Sequence, residues 1–181
     1  MIADLQTGTS MRSKDMSYKP KGLGHINIYV RNAERSRAWY EDLLGLHTYD
    51  FTPGRAAFMS ADLDVSHEIA LIEVGDDADG PKKGQVGLNH MAWYMHSLED
   101  LKELYYRIKE RNIAIENISD HGLSIGIYLK DPDGNGVEVS YELPRSEWGR
   151  EEKLFMGGGY TEKGRFPGPW DAEMASQAAA R

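Results

Sequence analysis

The chain has 181 residues, and its 29 acidic and 21 basic side chains give a formal net charge of −8. This acidic balance, without a cluster of Lys or Arg, argues against a nucleic-acid surface. The sequence contains no Cys, which excludes disulfides, thiolate metal sites and a cysteine nucleophile. No segment approaches the roughly 20 consecutive apolar residues of a membrane span, so we expect a cytoplasmic protein without a membrane partner.

A repeat organises the middle of the chain. Residues 1–20 are polar and unpatterned, and we interpret them as an N-terminal arm. The segment GLGHINIYV, beginning at Gly22, recurs 65 residues later as GLNHMAWYM, with the Gly, Leu, His and Tyr positions matched. Because an internal repeat defines the architecture of a fold, we predict two modules, over residues 22–75 and 87–142.

Each module is predicted to run β-α-β-β-β. In module one the helix spans residues 33–44, with Gly45 as its C-cap, and strands follow near 47–51, 56–60 and 67–74. In module two the helix spans 98–111 after an N-cap at Ser97, and the segments IAIENI, LSIGIYLK and GVEVSYE read as strands. The predicted fold class is α+β, with residues 21–142 forming one paired domain around a curved mixed sheet.

Residues 143–181 form a C-terminal extension beyond the repeat. Its polar, Gly-rich sequence contains four large aromatic residues: Trp148, Phe155, Phe166 and Trp170. Such side chains are hard to explain as free coil. We therefore predict that the extension covers the mouth of a pocket or a neighbouring subunit, and we expect a homo-oligomer.

Strand alternation predicts which side chains leave the helix-packed faces. In the opening strand of each module the large apolar residues share one face, which puts His25 and His90 on the other. The same argument puts Tyr128 and Glu138 on the open face of the last two strands. A carboxylate in the middle of a strand requires water, a partner or a metal.

Two histidines and one carboxylate make the three-ligand set of many non-haem Fe(II) oxygenases, in which the open positions accept substrate and O2. Taken singly, His25 and His90 are also explained as hydrogen-bonded strand histidines, and Glu138 as a solvated carboxylate. Their occurrence at matched positions of two repeats favours the metal site. His47 and His96 are interpreted as surface residues.

Residues 121–138 resemble the ring-cleavage signature of type I extradiol dioxygenases, and the paired modules resemble the vicinal oxygen chelate superfamily. The signature reads His121, GLSIG, Ile127-Tyr128, LK, Asp131-Pro132-Asp133-Gly134, NGV and Glu138. One departure is Ser119, where the family usually has Gly, Asn, Thr or an aliphatic residue. The resemblance covers about residues 22–142 and fits the short, one-domain subtype.

This resemblance implies an Fe(II) enzyme, with Mn(II) also accepted, that cleaves a catechol or 2,3-dihydroxybiphenyl type of substrate with O2. The residues that it implies are His25, His90 and Glu138 as metal ligands, His67 as a proton donor and acceptor beside the reacting oxygen, and Tyr128 and His121 as hydrogen-bonding groups near the substrate.

Two alternatives stay open. A glyoxalase-like or fosfomycin-type metalloenzyme of the superfamily would use a further ligand at the end of module one. The strict 65-residue offset places Glu73 there, whereas matching IAL with VEV places Ala70 there and requires a bulge or a late strand start after His67. A metal-free binding protein of the same fold would not need the three candidate ligands together.

Overall fold

The computed structural model describes residues 19–148 and 166–179. Most of the predicted N-terminal arm, and Phe155 of the extension, therefore lie outside the described residues. No helix within the described ranges is long and apolar enough to cross a membrane.

The described chain folds into eight strands and three α-helices. In chain order they are β1 (Ile26–Val30), α1 (Ala33–Leu44), β2 (His47–Thr52), β3 (Ala56–Ser60), β4 (Ile69–Glu73), β5 (Met91–Tyr94), α2 (Leu98–Glu110), β6 (Asn117–Asp120), β7 (Ser124–Lys130), β8 (Gly136–Glu142) and α3 (Asp171–Ala179).

Local signals set the ends of the two main helices. The side chain of Asn32 accepts a hydrogen bond from the Arg35 N–H at 2.8 Å and caps the start of α1. Gly45 ends α1 in the left-handed conformation, with φ of 69°. Ser97 caps α2 by accepting from the Asp100 N–H at 3.1 Å, as predicted. Helix α2 ends one residue earlier than predicted, because Arg111 already serves as its C-cap.

The strands form two four-stranded mixed sheets with the same internal order. The order is β1-β4-β3-β2 in module one and β5-β8-β7-β6 in module two. In both sheets the first and last strands of the module pair in parallel, and the remaining neighbours are antiparallel. The predicted pair of β-α-β-β-β modules and the α+β fold class are thus confirmed.

The hydrophobic core lies between each helix and its sheet. On β1 the alternating residues Ile28 and Val30 are buried, and on β8 Val137 and Val139 are fully buried. Trp93 is partly buried and packs against this core, as alternation predicts. The open faces of β1 and β5 therefore carry the histidine positions and the intervening polar or small residues.

Charged side chains join the two modules through the β7–β8 turn. Asp133 in that turn is buried and accepts hydrogen bonds from the guanidinium groups of Arg31, at 3.1 Å, and Arg35, at 2.7 Å. The Ser36 hydroxyl, on α1, donates to the other carboxylate oxygen at 3.1 Å. The turn that leads into β8 is therefore held against α1 of the other module.

A second buried carboxylate organises the same turn from within. Asp131 accepts hydrogen bonds from the backbone and side-chain N–H groups of Asn135, at 2.8 and 2.9 Å, and from the Tyr40 hydroxyl at 3.2 Å. Burial raises the pKa of Asp131, while the bonds from Asn135 oppose the rise. Burial also raises the pKa of Tyr40 well above its usual value, so its hydroxyl remains a donor to Asp131.

The described part of the C-terminal extension packs on module two. Trp170 is 2% exposed and meets the Tyr105 ring edge-on, with 5.5 Å between centroids. The Tyr105 hydroxyl donates to Asp171 at 2.8 Å, and the Phe166 N–H donates to Asp120 at 3.0 Å. The Phe166 ring meets that of Tyr141, on β8, edge-on at 6.3 Å. That the extension covers a pocket mouth or a neighbouring subunit stays a prediction.

Candidate functional site

His90 and Glu138 meet on adjacent strands of module two. His90 directly precedes β5, Glu138 lies in the middle of β8, and these two strands pair in parallel. The His90 Nε2 atom lies 3.0 Å from Oε2 of Glu138, whose side chain is 12% exposed. The other ring nitrogen, Nδ1, lies 2.7 Å from the Asn89 side-chain oxygen.

These contacts suit a cation. With Nδ1 beside an amide oxygen, that nitrogen carries the proton and donates it to Asn89. The Nε2 atom then faces a carboxylate oxygen, and this contact is favourable when a proton or a metal ion lies between the two atoms. Two ligands about 2.1 Å from a metal, in neighbouring octahedral positions, are separated by about 3.0 Å. The observed separation of His90 and Glu138 therefore fits a shared divalent metal.

His25 and His67 form a second pair, in module one. His25 directly precedes β1, and its ring lies 4.4 Å from the His67 ring between centroids, at an interplanar angle of 41°. Phe58 also packs edge-on against His67, with 5.4 Å between ring centroids. Strand β4 begins only at Ile69. This late strand start frees His67 from the alternation of β4 and lets its ring lie against His25.

Tyr128 and His121 border the His90–Glu138 pair. The ring of Tyr128 meets that of His90 edge-on at 5.5 Å, and its hydroxyl lies 3.4 Å from Nε2 of His121. Burial raises the pKa of Tyr128 well above its usual value, and the hydrogen bond to Glu138 and its negative charge raise it further. Tyr128 therefore stays protonated and acts as a hydrogen-bond donor at neutral pH.

The six candidate residues thus fall into two clusters: His25 with His67, and His90 with Glu138, Tyr128 and His121. Within residues 19–148 and 166–179, no three His, Asp or Glu side chains are grouped as ligands of one metal. A pocket between the modules is lined by residues 23–26, before and at the start of β1, by residues 68–69 and by residues 91–93 of β5. His25 borders this pocket, and His90 directly precedes its β5 wall.

Sheet register decides between Ala70 and Glu73. Ala92 pairs with Glu138 in module two, and the equivalent pair in module one is Asn27 with Ala70. Glu73 instead turns towards α1, where its Oε2 accepts from the Ala33 N–H at 2.9 Å. The position equivalent to Glu138 therefore has a methyl side chain, and Glu73 caps a helix.

Sequence reasoning did not identify Asn89, whose side chain fixes the His90 ring. One signal could have found it. The repeated motif reads GLGH in module one and GLNH in module two, so Asn89 replaces Gly24 directly before a candidate ligand. A residue that holds a ligand histidine by its second nitrogen fixes the tautomer and the orientation of the ring.

Sequence comparisons show the family of the chain. The family model described as Glyoxalase/Bleomycin resistance protein/Dioxygenase superfamily matches residues 22–139. A catechol-2,3-dioxygenase of Bacillus subtilis (strain 168) is 30% identical over 132 residues, which are 72% of this chain and 45% of that protein. Biphenyl-2,3-diol 1,2-dioxygenase 2 of Rhodococcus globerulus is 28% identical over 127 residues, 70% of this chain and 65% of that protein. The chain thus spans between about half and two thirds of the length of these relatives.

Solved structures show the same fold. A glyoxalase/dioxygenase from Nostoc punctiforme aligns with a TM-score of 0.60 and 21% identity over 77% of this chain and 100% of its own. A lactoylglutathione lyase from Agrobacterium tumefaciens aligns with a TM-score of 0.55 and 23% identity over 68% of this chain and 96% of its own. With its paired modules and a family match over residues 22–139, the chain belongs to the Glyoxalase/Bleomycin resistance protein/Dioxygenase superfamily.

Proposed function

We propose that the protein is an extradiol dioxygenase that cleaves a catecholic ring with O2 at a mononuclear Fe(II), with Mn(II) as the alternative metal. The observation that carries the proposal is the 3.0 Å contact between His90 and Glu138, bordered by Tyr128. His25, at the equivalent position of module one, is proposed as the third ligand. The names of the B. subtilis and R. globerulus relatives support a catechol or a 2,3-dihydroxybiphenyl as the substrate class.

A divalent metal at this site would supply two substrate-binding positions and a path for electrons between the catecholate and O2. With substrate bound, the protonated hydroxyl of Tyr128 would donate its hydrogen bond to a substrate oxygen in place of Glu138. His121, 3.4 Å from that hydroxyl, orients it. His67 is proposed to give and take protons beside the reacting oxygen, which suits an imidazole because its ordinary pKa lies near neutral pH.

Oxygen consumption tests the activity. Protein loaded anaerobically with Fe(II) should consume O2 with catechol or 2,3-dihydroxybiphenyl and release a yellow ring-opened product. Glu138→Ala should abolish both metal retention and turnover. Glu73→Ala removes a carboxylate that caps a helix, so it is the matched control and should keep both. Fully loaded protein that consumes no O2 across the catechol panel would refute the proposed reaction.

The role of His67 has its own test. If His67 transfers protons and does not bind the metal, His67→Phe should retain the metal and bind catechol with nearly unchanged affinity. Turnover should fall roughly 10²- to 10⁴-fold, the usual contribution of general acid–base catalysis. Loss of the metal from His67→Phe would show that His67 is a metal ligand. Full activity of His67→Phe would indicate that His121 or Tyr128 transfers the proton instead.

A glyoxalase-like activity is the alternative function within the superfamily. Such an enzyme would need a ligand at the end of module one, and the residue at that position is Ala70, which has no donor atom. Isomerase activity that depends on Ni(II) or Zn(II), in protein that leaves catechols intact, would favour it over the dioxygenase.

A further inference from the structure

Gly126 lies directly beside the carboxylate of Glu138. A side chain at position 126 would collide with Oε1 of Glu138, and a Cβ there would lie only 3.1 Å from Cδ and 3.2 Å from Cγ. Gly126 is itself buried in β7 and pairs with Ser140, two residues beyond Glu138 on β8. The carboxylate therefore occupies the space that any other residue at this position would fill.

Backbone conformation does not require a glycine here. Gly126 is absent from the residues with positive φ, so an L residue adopts its extended conformation without strain. Steric room for the Glu138 side chain is the remaining reason for a glycine at this position.

Module one provides an internal comparison. Phe58 pairs with Ala70 there, as Tyr128 pairs with Glu138 in module two. Counting two residues back along the strand, the equivalent of Gly126 is Ala56. The module that lacks the carboxylate thus accommodates a Cβ at this place in the sheet, and the module that has the carboxylate has none.

We propose that Gly126 is a positioning residue for the metal ligand Glu138, because its missing side chain lets the carboxylate lie along β7 and reach His90. This inference rests on the proposed metal-binding role of Glu138. Ligand geometry is sensitive to such support, and loss of a supporting residue typically weakens metal affinity roughly 10- to 100-fold.

The clash at Gly126 involves the far end of a flexible side chain, so Gly126→Ala should move the carboxylate and leave the sheet intact. Gly136 provides a contrast on the same strand pair. A Cβ there would meet the backbone oxygen of Asn89 and lie 2.9 Å from Cβ of His90. Because backbone cannot move aside locally, Gly136→Ala should lower stability as well as metal affinity.

Metal affinity in otherwise folded protein is the decisive measurement. The full-length chain is titrated with Mn(II) alone, and free Mn(II) is followed by electron paramagnetic resonance. We expect Gly126→Ala to raise the Mn(II) dissociation constant about 10- to 100-fold while the melting temperature stays within about 3 °C of the wild type. Gly22→Ala is the matched control, since it has open space around its Cβ and no positive φ, and it should bind as the wild type does.

A double variant covers the case in which Gly126→Ala destabilises the fold. If the clash with the carboxylate is responsible, adding Glu138→Ala should restore the melting temperature, because the obstructing atoms are gone. A double variant that remains unstable would overturn the inference, as would Gly126→Ala with wild-type Mn(II) affinity. If the wild-type protein binds neither Mn(II) nor Fe(II), both the proposed metal site and this inference are overturned. If the wild type binds metal and Gly126→Ala binds it equally well, only this inference is overturned.

Discussion

Trp170 should stabilise the fold although it lies outside the paired modules. It is 2% exposed and packs against Tyr105 of α2. A buried Trp removes about 150–250 Å² from water, which at about 25 cal/mol per Å² corresponds to about 4–6 kcal/mol as an upper bound. Measured Trp→Ala substitutions in cores cost about 3–5 kcal/mol. We expect Trp170→Ala to cost about 3 kcal/mol, the lower end of this range, because a terminal segment can undock from module two and so limit the loss.

Urea denaturation followed by far-UV circular dichroism measures this loss of unfolding free energy, and thermal unfolding followed by the same signal measures the melting temperature. With about 2–4 °C of melting temperature per kcal/mol for a chain of this size, a loss of about 3 kcal/mol should lower the melting temperature by about 6–12 °C. Glu173→Gln is the control, since it removes only an exposed ion pair with Lys102 and should leave the midpoint nearly unchanged. A free-energy change below about 0.5 kcal/mol for Trp170→Ala, within the usual range of surface substitutions, would show that the extension does not contribute to the folded core.

Three further predictions follow from single contacts. Burial raises the pKa of Tyr105 to about 12, so between about pH 10 and 12 the folded state holds the phenol proton more tightly than the unfolded state does. The free energy of unfolding should therefore fall as the pH rises through this window, and it should fall less steeply in Tyr105→Phe. Urea denaturation midpoints measured across the window check this. Glu73→Ala should cost about 1 kcal/mol by removing the hydrogen bond to the Ala33 N–H at the start of α1. It should leave the metal content unchanged, whereas Glu138→Ala should eliminate the metal; loss of metal from the Glu73 variant would contradict the register of β4. Asp131→Asn should destabilise the fold by about 1–3 kcal/mol, because an amide nitrogen cannot accept the side-chain hydrogen bond from Asn135, and an unchanged denaturation midpoint would contradict that assignment.

The sequence by itself determined the elements whose signals are local or repeated. Helix α1 has the predicted bounds because Gly45 supplies a left-handed C-cap directly after its last residue. The 65-residue repeat predicted two equivalent modules, and matched sheet orders confirm them. Alternation placed Glu138 on the open face of β8, since successive residues of a strand point to opposite sides.

Tertiary structure alone decided the features that depend on contacts between distant segments. Ala70 and Glu73 were both compatible with the spacing, and only the pairing of β1 with β4 shows which one faces Asn27. The docking of Trp170 on α2 could not be read from its composition, because an aromatic residue in a polar stretch does not specify which apolar surface will cover it. The 3.0 Å approach of His90 to Glu138 likewise depends on rotamers and on the parallel register of β5 and β8, which join residues 48 positions apart in the sequence.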